Sequence, residues 1–189
     1  MTSDGASRPS VSGNLAYALE TSSEQARVPA LARSEVLAVL SAAFDLAESQ
    51  PIGHSVRVAY LATRIAERVG LDAASQHAVL AAGLLHDSGI AVRSTPDQAD
   101  SPGGHTAVGA WVAAQFGYDR TVQGAIRASH ERWDGGGYPD GLAGDDIPVE
   151  ARIVSCCDTY SAMTTTRSYR AAMSSEDALA ELLRSAPRR

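Results

Sequence analysis

Five histidines, at positions 54, 77, 86, 105 and 130, and two aspartates, Asp87 and Asp158, are the residues of this chain whose types and settings could do chemistry. His86 and Asp87 end an apolar helical face that carries Val79, Leu80 and Gly83, and Ser88-Gly89 after them lets the backbone leave. His54 opens another helix on the same face as Val58 and Ile65, so its ring is expected to point inward. Asp158 sits within an otherwise apolar helix, one turn after Val154. An inward carboxylate is costly unless it is paired or holds a cation. Two imidazoles and two carboxylates suit Mn, Fe, Ni or Zn better than Ca. Local patterning leaves two readings open: these residues hold a metal, or Asp158 pairs with an arginine. A lone His-Asp dipeptide has the plainer reading of a partly buried His beside a helix-capping Asp.

The elements that must position these side chains read as helices throughout, so the expected fold class is all-α. Ser34 is read as the cap of a helix carrying Val36, Val39, Leu40 and Phe44 and ending before Pro51. The next runs from about His54 to Val69, with Val58, Leu61, Ala62, Ile65 and Val69 on one face and Gly70 closing it. A third starts near Asp72 and reaches His86. Helices over 105–116, 120–130, 148–165 and 174–185 complete the set, with Pro148 at a first turn. Loops are expected over Ala91–Gly104 and over the glycine-rich stretch Glu131–Ile147. Residues 1–34 read as a disordered or weakly ordered tail, 35–186 as one domain, and 187–189 as the C-terminal end.

Composition excludes several classes. No apolar run approaches the ~18 residues of a membrane span, and the N-terminus lacks the apolar core of a secretory signal. A net charge of −6 without a basic stripe speaks against a DNA-binding module. All 16 basic residues are arginine, so no chemistry that needs a lysine amine can come from this chain. Cys156 and Cys157 are neighbours on a helix, which argues against a disulfide between them; both read as small core residues in a reducing, cytoplasmic setting.

The loop Ser129-His130-Glu131-Arg132-Trp133-Asp134-Gly135-Gly136-Gly137-Tyr138-Pro139 is specific in combination. With His54-Ser55-Val56-Arg57-Val58-Ala59 and Leu84-Leu85-His86-Asp87, it resembles the HD-GYP family. Further matches are Asp158-Thr159-Tyr160 and Arg167-Ser168-Tyr169-Arg170, and the likeness covers roughly 35–186. The resemblance implies a helical bundle of about six to seven helices with a long GYP loop. It also implies a metal-dependent phosphodiesterase that hydrolyses cyclic di-GMP or a related nucleotide phosphate ester through a metal-bound water.

By the same resemblance, His54, His86, Asp87 and Asp158 match a first metal site. Asp87 bridges to a second, completed by His105 and His130. His86 and Asp87 are the implied catalytic pair, and Arg167, Arg170 and Tyr138 the implied substrate contacts. One or two divalent transition-metal ions are expected (Fe, Mn or Ni, with Zn as the alternative). The expected partners are a cyclic dinucleotide and a diguanylate cyclase domain docking on the GYP loop, with neither DNA nor membrane. His77 has no ligand role and reads as an exposed helix residue.

Four positions depart from the family pattern. Ser129 replaces one histidine of a His-His pair. Ile90 stands at a lysine position, Ser161 at an aspartate position, and Gln50 at a glutamate that holds a third ion in some members. These departures imply reduced activity, or else a catalytically degenerate nucleotide-sensing or protein-interaction module. A general HD-type nucleotide phosphohydrolase is the third reading.

Overall fold

The computed structural model of the protein describes residues 30–47, 50–91, 104–167 and 170–186. The expected tail lies outside the described residues, apart from the start of the first helix, as do 187–189 and most of the expected 91–104 loop. The helices are α1 (Ala30–Ala47), α2 (His54–Arg68), α3 (Ala73–Leu85), the single turn α4 (Ser88–Ala91), α5 (Gly104–Gln115), α6 (Arg120–Arg127), α7 (Val149–Met163) and α8 (Ser175–Ser185). A 3-10 turn over Gly144–Asp146 precedes α7. Seven of these helices have eight residues or more, and no strand occurs among the described residues, so the architecture is all-α as expected. No helix among them is long and apolar enough to cross a membrane.

Caps explain several starts. Asp72 accepts from Ser75 N at 2.8 Å, Asp119 from Thr121 and Val122 N at 3.0 and 3.1 Å, and Ser174 from Asp177 N at 3.1 Å, each using orphan donors of a first turn. Helix α1 begins at Ala30 rather than at Ser34, because Ala-Leu-Ala-Arg are all strong helix formers and carry the helix back a full turn.

Helix α3 is the centre of the bundle. Ala78, Val79, Ala81, Ala82, Gly83, Leu84 and Leu85 are all buried, and α2, α6 and α7 pack around it. Small residues set these contacts. A Cβ on Gly83 would lie 2.6 Å from Ala59 Cα, so α2 and α3 touch backbone to backbone. Leu85 and Ile126 are fully buried; truncating such a leucine to alanine costs about 2–5 kcal/mol.

The inward faces differ from those expected. On α2 the buried row is Val58, Ala59, Ala62 and Ala66, while Ile65 and Val69 are exposed, because close approach to α3 selects alanine over larger side chains. On α1 the buried row is Leu37, Ser41 and Asp45 at a spacing of four, and Val36 and Val39 face out. Two polar residues hold that row through hydrogen bonds, which an apolar-only periodicity overlooks. On α7 Cys157 is buried beside Val154, but Cys156 is exposed, one position off the inward face. Gly89 does not release the chain. It lies in α4, and a Cβ there would fall 1.8 Å from His105 O, so glycine is what lets α4 and α5 cross.

Candidate metal centre

Three elements bring the first group of donors together. His54 opens α2, His86 is the C-cap of α3 with Asp87 in the turn after it, and Asp158 projects from the middle of α7. His54 Nε2 lies 3.2 Å from Asp158 Oδ1 and 4.0 Å from Asp87 Oδ2. His86 Nε2 lies 3.1 Å from Asp87 Oδ2 and 3.9 Å from Asp158 Oδ1. The far nitrogens are held from behind. His86 Nδ1 donates to the Gly83 carbonyl at 3.0 Å, and His54 Nδ1 lies 3.0 Å from Ser161 Oγ. Such partners fix the tautomer that turns Nε2 toward an ion. Ser161, a departure from the family aspartate, therefore still supplies an oxygen behind His54.

The second group comprises Asp87, His105 and His130, whose donor atoms all lie within 4.8 Å of one another. The two rings are 4.9 Å apart and meet edge to face at 65°. Tyr138 stacks on His130 at 5.2 Å and stands 6.0 Å from His105. Asp87 belongs to both groups. His105 is placed by the close α4–α5 crossing at Gly89, and His130 by the turn after α6, where Tyr138 N donates back to His130 O at 3.2 Å. Ser129 is buried and gives its hydroxyl hydrogen to Ile126 O at 2.9 Å, and a serine hydroxyl is a poor ligand for a transition metal beside imidazoles and carboxylates.

The groups suit an ion. The Nε2 atoms of His54 and His86 are sealed from solvent and have no partner of hydrogen-bonding geometry. Buried polar atoms are rarely left so, and a cation between imidazoles and carboxylates satisfies both. The imidazoles of the first group are 1% exposed, whereas Asp87 and Asp158 are 12% and 24% exposed, so the open side of the centre is the carboxylate side. Burial disfavours the charged form of His86, but the Asp87 carboxylate, with Asp158 behind it, outweighs burial and raises its pKa to about 10. Burial pushes the carboxyls of Asp87 and Asp158 upward; the neighbouring histidines overcome it and hold both below the usual range. His130 is lowered by burial. The Tyr138 hydroxyl is raised by burial and by the charges of Asp87 and Asp158.

The remaining expected residues lie as follows. Arg170 donates to Ala162 O at 2.6 Å, and its backbone forms a two-bond bridge with Arg167 just after α7. Ile90 sits half-buried on α4, three residues after Asp87, and His77 is exposed on α3. The GYP loop is a folded object. Glu131 Oε1 accepts from Asp140 N and Gly141 N at 2.7 and 3.1 Å, Arg127 makes two bonds to Asp140, and the Arg152 guanidinium lies 5.5 Å above the Trp133 ring. Gly137 is forced, since its Cβ would lie 2.3 Å from Arg132 N.

Two positioning residues escaped sequence reasoning. Glu131 organises the loop beside His130, and Asp45 reaches from α1 to the start of α2. The available signal for Asp45 was an acid on the row Leu37, Ser41, Asp45, spaced four apart. For Glu131 it was an acid placed directly after His130 and before the glycines.

Comparison with known proteins places the chain in a family. A model described as "HD domain" matches residues 38–189. The chain is 34% identical over 161 residues to the cyclic di-GMP phosphodiesterase response regulator RpfG of Xanthomonas campestris, covering 78% of this chain and 42% of that protein. It is 31% identical over 160 residues to a cyclic di-GMP phosphodiesterase of Thermotoga maritima, covering 78% and 44%. Among solved structures it is similar to a cyclic GMP-AMP-specific phosphodiesterase of Vibrio cholerae, with a TM-score of 0.69, 22% identity, and coverage of 80% of this chain and 44% of the other. The chain thus spans less than half the length of these relatives. From the match over residues 38–189, the chain belongs to the HD domain family.

Proposed function

We propose that this chain is a metal-dependent phosphodiesterase that hydrolyses cyclic di-GMP or a related cyclic dinucleotide, with reduced activity. The observation that carries the reading is the sharing of Asp87 by two groups of donor atoms. His54, His86, Asp87 and Asp158 hold the first ion, and Asp87, His105 and His130 the second. Fe, Mn or Ni fit these donors, with Zn as the alternative. When bound, such ions supply Lewis acidity and lower the pKa of water toward neutrality.

The chain's own residues do the rest. Asp87 and His86 form the catalytic pair, Asp87 as the carboxylate common to both groups and His86 as a sealed ligand locked by Gly83 O. Tyr138, kept protonated by its surroundings, offers a neutral hydroxyl beside His130. Arg167 and Arg170 bind substrate phosphate; Arg170 spends one N–H on Ala162 O and has others to give. The missing lysine at Ile90 deletes one point charge near the phosphate; losing a comparable preorganised donor costs roughly 100–1000-fold in rate. Residues 35–186 form the working domain. The GYP loop is the docking face for a diguanylate cyclase domain, and the setting is the cytoplasm.

The test is direct. Protein loaded anaerobically with Mn or Fe is expected to linearise cyclic di-GMP, and His86→Ala is expected to abolish turnover. Equal rates for both proteins would sink the reading. A second reading, a binding module without turnover, is favoured by Ser129, whose hydroxyl is committed to Ile126 O. Fewer than two ions per chain, with nucleotide binding but no cleavage, would select it.

A further inference from the structure

Helix α2 carries a metal-site histidine at its first position, yet it lacks a cap of its own. Its N-cap is Gly53, with φ 91° and no side chain to offer. The cap comes from another helix. Asp45, 2% exposed on α1, accepts from Gly53 N through Oδ2 at 2.8 Å, and from Ser55 N and Ser55 Oγ through Oδ1 at 3.2 and 2.6 Å. One carboxylate thus grips the residues on both sides of His54. His54's own N–H is held separately, by Pro51 O at 3.0 Å. A carboxylate at a helix N-terminus is favoured by the dipole and by charge-assisted bonds to the orphan donors.

We infer that Asp45 is a positioning residue for His54, fixing the first turn of α2 so that the imidazole meets Asp87 and Asp158. This rests on the reading of His54 as a ligand. A residue needed only for packing would not require a buried carboxylate that uses both of its oxygens; an apolar side chain would fill the row after Leu37 as well. Because both oxygens accept, Asn at 45 must turn its NH2 group either toward Gly53 N–H or toward the Ser55 donors. Shape is kept and one grip is lost. The ring lies at the end of a side chain, so a small rotation of the first turn is magnified at Nε2. Ser161 holds only the opposite nitrogen and cannot correct it.

The experiment titrates the ion-free full chain with Co2+, followed by calorimetry and by the visible bands of the bound ion. Asp45→Asn is expected to bind its first Co2+ about 10–100-fold more weakly, the range seen when partners behind metal ligands are lost, and with altered bands. Ser55→Ala, which deletes one of the three bonds, is expected to shift both readouts the same way by less. Ser41→Ala is the control. Ser41 is equally buried on the same row of α1 but bonds only to Ala38 O, so it is expected to lower stability without moving the Co2+ spectrum. Wild-type affinity and bands in Asp45→Asn, or an equal spectral shift in Ser41→Ala, would overturn the inference. If Asp45→Asn does not fold, Ser55→Ala against Ser41→Ala decides by the same criteria. Failure of wild type to bind Co2+ at all would bring down the metal reading and this inference together; failure confined to the variants would leave the metal reading standing.

Discussion

The two halves of the candidate metal centre are built differently. The first draws its donors from α2, the end of α3 and the middle of α7, all parts of the packed core, and its two imidazoles are sealed. The second shares Asp87 and adds His105 and His130, both only half-buried, from the start of α5 and the turn that opens the GYP loop. The first has four donors, with a hydrogen-bonded atom behind each imidazole. The second has three, and Ser129 beside it contributes none. Ligands anchored in a core cannot relax without disturbing packing, whereas a ligand on a turn, as His130 is, moves at the cost of a few hydrogen bonds. The difference teaches that the first half is a rigid site and the second a conditional one.

The largest effect should follow from breaking each half in turn. His54→Ala is expected to abolish tight binding of the first ion and with it nearly all turnover. His105→Ala is expected to remove the second ion while one ion per chain stays bound. Metal content after gel filtration, measured by elemental analysis, checks both. If His105→Ala empties the whole centre, the two halves are one cooperative unit and the contrast fails.

The next effect is pH dependence, and its sign is fixed by His86. Its pKa is raised in the ion-free fold, so its stabilising contribution is complete below about 6.5 and disappears as pH climbs through about 10. Between pH 7 and 10 the ion-free protein should therefore lose thermal stability. An ion must displace the same proton, so its affinity should rise over that window, by up to about tenfold per pH unit for one proton released. Melting curves with and without a chelator across this range test both signs. Asp87 and Asp158, lowered from their usual values, contribute in the opposite sense: their stabilisation is present above the ordinary carboxylate range and disappears as pH falls below it.

A smaller change is expected in the loop. Gly137→Ala places a Cβ against the backbone of Glu131 and Arg132, so the segment must shift. Overpacking of this kind costs about 1–3 kcal/mol. The shift should reach His130 through the Tyr138 N to His130 O bond and weaken the second ion while sparing the first. Separate binding constants from a calorimetric titration would show it; equal weakening of both ions would blur the distinction between core and loop.

The rigid half was also the more legible one in sequence. His54, His86-Asp87 and Asp158 stood out because an ionisable residue on an apolar helical face demands a partner, and that rule survives folding. Helix boundaries read well where a side chain caps its own helix, as at Asp72 and Asp119. The reading failed where the determinant lies on another element. The grip of Asp45 on α2 and the crossing of α4 and α5 at Gly89 depend on which helices meet. Periodicity also misassigned the α1 and α2 faces, because alanine and hydrogen-bonded polar residues, rather than large aliphatics, line the close helix contacts. For His105 and His130 local patterning carried no signal; the resemblance of the loop sequence supplied them.

The smallest predicted effect tests whether the outside of the loop matters to the conditional half. Arg152 lies over the Trp133 ring and pairs with Asp145, while Gly144 N bonds Trp133 O, so this outer clamp joins the loop to α7. Replacing Arg152 by Met keeps the aliphatic stem and removes the cation. An exposed cation–π contact is worth about 0.5–1 kcal/mol, and the accompanying surface ion pair adds little. Arg152→Met should therefore lower the melting temperature slightly and leave both ions bound with unchanged affinity. The inner bonds of Glu131 and the close approach of Gly137 hold His130 without help from the outer clamp. A selective loss of the second ion in this variant would instead show that the loop is tensioned from its rim, so that a protein docking on Trp133 would act on the ion through the backbone.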